Sequence, residues 1–319
     1  MIASNLILAQ TTPGGKAMLR NFILALTVGT MATLAQARAF ELGGARPAKL
    51  YTPFGYHESK SYPLVVFLHG VRSSAEQSDL WLGLTRVNDR QQFLLLMPNG
   101  QKDSQGLRFW NATPECCDDE LSGVDDVTYL TGLIEEAKSR FAVDPARVYL
   151  IGHSNGGYMS YTLACQRPDL IRGLVSIAGS TYVTPEECKN PAPLNVLQIH
   201  GADDTIVTYE TTGRVPGALG TVHRWVNINQ CQTRTETSDA LDLVRVKWEI
   251  NTGYPDGRPG IDGSFSDFFG LDFRKETDTI TWTDCSDDTR VGLWTVKGSN
   301  HVPSFWGTGV IEKALEFVR

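Results

Sequence analysis

The pentapeptide Gly152-His153-Ser154-Asn155-Gly156 sets a serine between two small residues at positions ±2. Such spacing lets a chain turn sharply from strand to helix and push a hydroxyl out of the turn. A serine hydroxyl is a weak nucleophile, and it needs a base that is itself held by a carboxylate. When the serine stands on a strand–helix turn, the partners follow in the order acid, then histidine. Of the six histidines, only His223 and His301 lie late enough. His223 falls inside a helical stretch, whereas His301 follows a strand in Lys297-Gly298-Ser299-Asn300-His301 and is the expected base. Asp203 and Asp204 both follow the strand Val196–Ile199, so either could orient that base, leaving the other to cap the turn. Backbone amides of Asn155 and Val71 are the expected donors to an oxyanion, the second from the turn at His69-Gly70-Val71. His69 and His153 read as structural. This set is suited to acyl transfer.

These residues need a scaffold that brings four loops to one edge. Leu64–Leu68, Phe93–Met97, Val148–Ile151, Leu174–Ile177, Val196–Ile199 and Val291–Val296 read as strands, five of them apolar enough to be buried on both faces. Between them, 124–141, 157–165 and 220–229 carry helical patterns. Alternation of this kind predicts an α/β fold, a mostly parallel sheet with helices on both faces. Residues 233–290 break the rhythm with 13 acidic against 7 basic residues, which suits either a lid or binding loop or a solvated insertion before the catalytic histidine. Asp256, Asp262 and Asp267 within it lack the spacing of a calcium loop, and no His/Cys cluster suggests another metal.

Residues 1–39 contain no acid and only three charges, Lys16, Arg20 and Arg38. A basic residue, the apolar run from Phe22 and the small-x-small site Ala37-Arg38-Ala39 predict a signal peptide over 1–39, with Met18 as an alternative start and a single catalytic domain over 40–319. Its removal would shift the net charge from −7 to −10. That balance attracts neither nucleic acid nor anionic membrane, so neither is an expected partner. Six cysteines, an even number, in an exported chain favour disulfides, and the location expected is secreted or periplasmic. The adjacent Cys116 and Cys117 bridge only with strain, so their pairing stays open.

The combination of Leu64–Gly70, Trp110-Asn111, Cys116-Cys117, 124–127, Arg147–Met159, 163–165, His200–Val207, Trp225, Cys231, Cys285 and His301 resembles secreted α/β-hydrolases that include polyhydroxybutyrate depolymerases and feruloyl and acetyl-xylan esterases. It extends over about residues 47–319. The resemblance implies the α/β-hydrolase fold, hydrolysis of a carboxylic ester without cofactor or metal, and a polymeric or aryl ester as substrate. It implies a triad of Ser154, Asp204 and His301, with Asp204 singled out by the spacing His-Gly-x-x-Asp-x-x-Val. Cysteines at the two ends of the insertion imply a Cys231–Cys285 disulfide, with Cys165–Cys188 as a second pair. Val71 and Val302 stand where the family often has a cysteine and an aromatic residue. Trp110, Trp306, Phe265, Phe268 and Phe269 are candidate substrate contacts.

Overall fold

The computed structural model describes residues 39–213, 215–244, 276–303, 305 and 307–319. Residues 1–38 of the expected signal peptide fall outside this range, as do Phe265, Phe268, Phe269 and Trp306, and Ala39 opens the first strand.

Six strands form the parallel centre of one sheet: β3 (Tyr62–Leu68), β4 (Leu94–Met97), β7 (Val143–His153), β8 (Gly173–Ile177), β9 (Asn195–Gly201) and β12 (Val291–Val296). β1 (Ala39–Leu42) and β2 (Ala48–Tyr51) extend it antiparallel at one side. At the other side β11 (Thr277–Thr283) and β10 (Thr233–Leu241) do the same. The order is β1-β2-β4-β3-β7-β8-β9-β12-β11-β10. A two-stranded ribbon of β5 (Gln101–Lys102) and β6 (Arg108–Phe109) stands apart. The described ends of the 233–290 insertion are therefore sheet strands, not a separate cover. Their alternating Thr and charged residues suit an edge that is wet on its outer side.

Strand side chains alternate between two cores, as a period of two demands. Leu64, Val66 and Leu68 of β3 enter one core with α3 (Asp126–Arg140), α4 (Asn155–Gln166) and α5 (Gly217–Ile228). Val65 and Phe67 enter the other, with α1 (Ala75–Leu82), α2 (Leu84–Gln91) and α6 (Val310–Val318). Both cores are apolar, so the parallel strands are buried on both faces and their backbones are locked. α3 begins where the Asp125 side chain accepts the Thr128 amide at 2.8 Å, a cap worth about 1 kcal/mol.

Three disulfides join Cys116–Cys117, Cys165–Cys188 and Cys231–Cys285. The last two are the pairs expected, and the first resolves the pairing left open. Cys231–Cys285 ties the start of β10 to the end of β11.

Candidate active site

β7 runs straight into α4 with only Ser154 between them, and that residue is held at φ 52°, ψ −120°. A positive φ on a residue with a side chain is strained, and persists only where packing leaves no alternative. The packing is visible on both sides. A Cβ on Gly152 would lie 2.1 Å from the Gly156 carbonyl oxygen, and one on Gly156 would lie 2.0 Å from that of Leu68. Both small residues of the pentapeptide are thus required by close backbone approach. The Ser154 amide donates to the Ile177 carbonyl at 2.8 Å, anchoring the turn to β8.

β3, β7, β9 and β12 are mutually parallel, so the loops after them emerge at one sheet edge, where open α/β folds build sites. That edge brings Ser154, Asp204 and His301 together. The Ser154 hydroxyl stands 2.8 Å from His301 Nε2, and His301 Nδ1 stands 2.8 Å from Asp204 Oδ2. Ser154 and His301 are only 8% and 9% exposed, so the hydroxyl is covered instead of facing open solvent as its turn alone would suggest. The loops that carry Asp204 and His301 are laced by backbone: Ala202 donates to Val296 at 3.0 Å and Asp203 to Ser299 at 2.9 Å.

The two neighbouring aspartates separate cleanly. The Asp203 side chain is exposed, and that residue contributes its amide. Asp204 is buried and also caps its own turn, its Oδ1 accepting the amides of Ile206 and Val207 at 2.9 and 3.0 Å. The expectation that one aspartate would hold the histidine and the other cap the turn is therefore wrong, because one carboxylate has enough lone pairs for both. Burial alone would push the Asp204 carboxyl up, but contacts from His200 and His301 outweigh it and hold the group well below the usual carboxylate range.

Two further histidines build the walls. His69 is fully buried; its Nε2 accepts the Gly100 amide at 2.9 Å, which leaves the proton on Nδ1 to donate to the Gly70 carbonyl at 2.7 Å. Fixing that carbonyl turns the Val71 N–H the opposite way, since a trans peptide sets the two groups antiparallel. A Cβ on Gly70 would lie 3.4 Å from Ser154 Cβ, so this turn lies directly against the elbow. His153 donates from Nε2 to the carbonyl of His301 at 3.3 Å and meets Trp81 edge to face at 5.2 Å. Burial pushes His69 down to about 4 and His153 to about 3. Their roles, and that of Trp81, depend on partners far away in sequence. Only their closeness to the motif marked the histidines, and nothing marked Trp81. His223 lies exposed on α5, as expected.

Trp110 is not a surface contact. It is fully buried, donates from its indole to the His69 carbonyl at 3.0 Å, and has the Arg46 guanidinium 5.3 Å from its ring. An indole with a buried acceptor and a stacked cation is held inside by both. Asn155 turns its side chain to the same segment, accepting from Trp110 N–H at 2.8 Å and donating to Trp110 C=O at 2.9 Å and Cys116 Sγ at 3.4 Å. Its amide is left at the first turn of α4, where helix amides have no partner within the helix.

Residues 56–235 match the phospholipase/carboxylesterase family. The chain belongs to that family. It is 28% identical over 191 residues to feruloyl esterase B of Piromyces equi, covering 56% of this chain and 34% of the relative. It is 27% identical over 164 residues to poly(3-hydroxyalkanoate) depolymerase C of Paucimonas lemoignei, covering 50% of this chain and 38% of that one. The chain thus spans well under half the length of either relative. Among solved structures, acetyl xylan esterase from Aspergillus awamori superposes with a TM-score of 0.61 at 11% identity, over 88% of this chain and 99% of that one. The likeness of fold bears out the α/β-hydrolase expectation for this family member, and the relatives are those the sequence resembles.

Proposed function

We propose that this carboxylesterase-family chain is a serine hydrolase of carboxylic esters, with Ser154 as nucleophile, His301 as base and Asp204 as the acid that orients it. The observation that carries the reading is the unbroken line Ser154 Oγ–His301 Nε2 and His301 Nδ1–Asp204 Oδ2, both 2.8 Å. Ser154 attacks the ester carbonyl as its proton passes to His301 Nε2. Amides of Val71 and Asn155 stabilise the oxyanion, the second aided by the positive end of α4. His301 then protonates the leaving alcohol, and water attacks the acyl-enzyme by the same route to release the acid. This sequence uses no cofactor or metal.

The substrate class is a short-chain polyhydroxyalkanoate polyester or its oligomers, supported by likeness to the depolymerase of Paucimonas lemoignei. Aryl or acetyl esters on plant polysaccharide are the second reading, supported by the feruloyl esterase of Piromyces equi. Transfer of the acyl group to an alcohol is a third outcome of the same triad, and partition between water and an added acceptor separates it. Three disulfides support a secreted or periplasmic location, and among the described residues no helix is long and apolar enough to cross a membrane. A panel of polyhydroxybutyrate film, methyl ferulate, acetylated xylan and p-nitrophenyl butyrate tests the reading. Turnover of p-nitrophenyl butyrate that survives in Ser154→Ala would overturn it.

A further inference from the structure

Behind Asp204 the hydrogen bonding continues inward, through residues that the acyl-transfer steps do not use. Gln198 and His200 lie two apart on β9 and both are fully buried. Tyr161, also buried, donates its hydroxyl to Gln198 Oε1 at 2.8 Å, and burial raises that hydroxyl so far that it stays a donor. Gln198 Nε2 donates to the Gly179 carbonyl at 2.9 Å. A carbonyl can only accept, so the amide cannot be turned over, and its second hydrogen is left for His200 Nδ1 at 2.8 Å. Nδ1 must then be the bare nitrogen of His200, and the ring proton sits on Nε2. That N–H donates to the Val207 carbonyl at 2.7 Å and lies 3.1 Å from Asp204 Oδ2.

The result is a closed clamp. Val207 is gripped at its carbonyl by His200 and at its amide by Asp204 Oδ1, while the His200 N–H also presents its positive end to Oδ2. This accounts for the spacing His-Gly-x-x-Asp-x-x-Val: His200, Asp204 and Val207 are the three corners of one ring. The inner end of the chain is Tyr161 on α4, the helix that begins immediately after Ser154. We propose that His200, its ring anchored between the Gln198 amide at Nδ1 and the Val207 carbonyl at Nε2, is a positioning residue that holds the Asp204 carboxylate in line with His301. The inference rests on the triad reading above.

The test uses the full chain, p-nitrophenyl butyrate, and four variants. His200→Leu removes the donor, His200→Gln keeps one at similar reach, Gln198→Leu removes the anchor at Nδ1 so that the ring can shift, and Ser154→Ala reports on the triad. Loss of a buried hydrogen bond that orients the acid predicts kcat reduced about 10- to 100-fold in His200→Leu, with KM within about twofold because the clamp does not touch substrate. His200→Gln should recover most of the loss. A folded His200→Leu with kcat within threefold of the parent, or a His200→Gln as impaired as His200→Leu, would overturn the proposal. Should His200→Leu not melt cooperatively, Gln198→Leu decides: about a threefold or larger fall in kcat at constant KM supports the clamp, and unchanged kcat sinks it. An inactive Ser154→Ala beside fully active clamp variants would end this inference alone. An active Ser154→Ala would end the triad reading first.

Discussion

The middle and the far edge of the same sheet are built on different principles. Every residue of β8 and β9 is buried, whereas the first seven residues of β10 are exposed. In the middle, packing from both faces fixes the backbone firmly enough to hold Ser154 at positive φ and to bring two glycines against carbonyl oxygens. At the edge, β10 pairs on one side only among the described residues, its register shifts between Thr237 and Leu241, and pairs such as Arg234–Glu236 stand half exposed. Such exposed pairs are worth about 0–1 kcal/mol. The Cys231–Cys285 bond there replaces what burial supplies in the middle. Chemistry can be placed only where the backbone has no alternative, and the four site loops all follow central parallel strands.

The largest effect is expected from a change at the centre. Ser154→Ala should lower kcat for p-nitrophenyl butyrate by about 10⁶-fold, as removal of a serine nucleophile does, with an unaltered melting curve. Retention of a tenth of the parental activity would show that the elbow is a packing feature only.

Next in size are the neighbouring aspartates. Asp204→Asn should leave His301 with the wrong tautomer and lower kcat by about 10⁴-fold, with little change in KM. Asp203→Asn should turn over near the parental rate, since that residue contributes its backbone amide. Steady-state kinetics on both variants settle the assignment, and the reverse outcome would make the triad Ser154, Asp203 and His301.

At the edge the expected effect is on stability. Replacing Cys231 and Cys285 together by Ser reopens a loop spanning a sequence separation of 54, and should destabilise by about 4 kcal/mol in the chain-entropy model. The kcat of the folded fraction should stay within twofold of the parent, measured below the lowered melting point. A large fall in kcat would mean that the edge and the centre are not separable.

A pH dependence also belongs to the centre, and the share of each histidine is the smallest of these effects. His69 and His153 are held at about 4 and about 3 in the folded chain, against 6.5 for the free side chain. Below pH 6.5 the unfolded chain takes up protons that the folded chain refuses, so stability present above that pH declines as pH falls through 4 and 3. At pH 5 the loss is at most about 2 kcal/mol for each histidine. Asp204, held low, adds stability that is lost only below its ordinary value of 3.8. Urea midpoints at pH 7.5 and pH 5 check the sign, and equal midpoints would contradict it.

The central strands and the sharp turn at Ser154 were legible in the sequence, because both are local. An apolar run as short as Leu64–Leu68 suits a buried strand better than a helix, and a serine between Gly152 and Gly156, set between a strand and a helical stretch, suits a tight turn. Chain order singled out His301 as the candidate base, and family likeness singled out Asp204 as the candidate acid and the Cys231–Cys285 pair. The edge strands β10 and β11 were not legible, since exposed strands lack a continuous apolar signal. Nor was the fate of Trp110, whose burial depends on Arg46 and His69, distant along the chain and adjacent in space. The double duty of Asp204 and the clamp of Tyr161, Gln198 and His200 were decided by the tertiary structure alone. The physical reason is that a side chain's type states what it can donate or accept, while its partner is chosen by whichever strand the fold sets beside it. For Gln198 on β9 that neighbour is the Gly179 carbonyl, and the side-chain amide it orients faces His200, the first residue of the His-Gly-x-x-Asp-x-x-Val spacing.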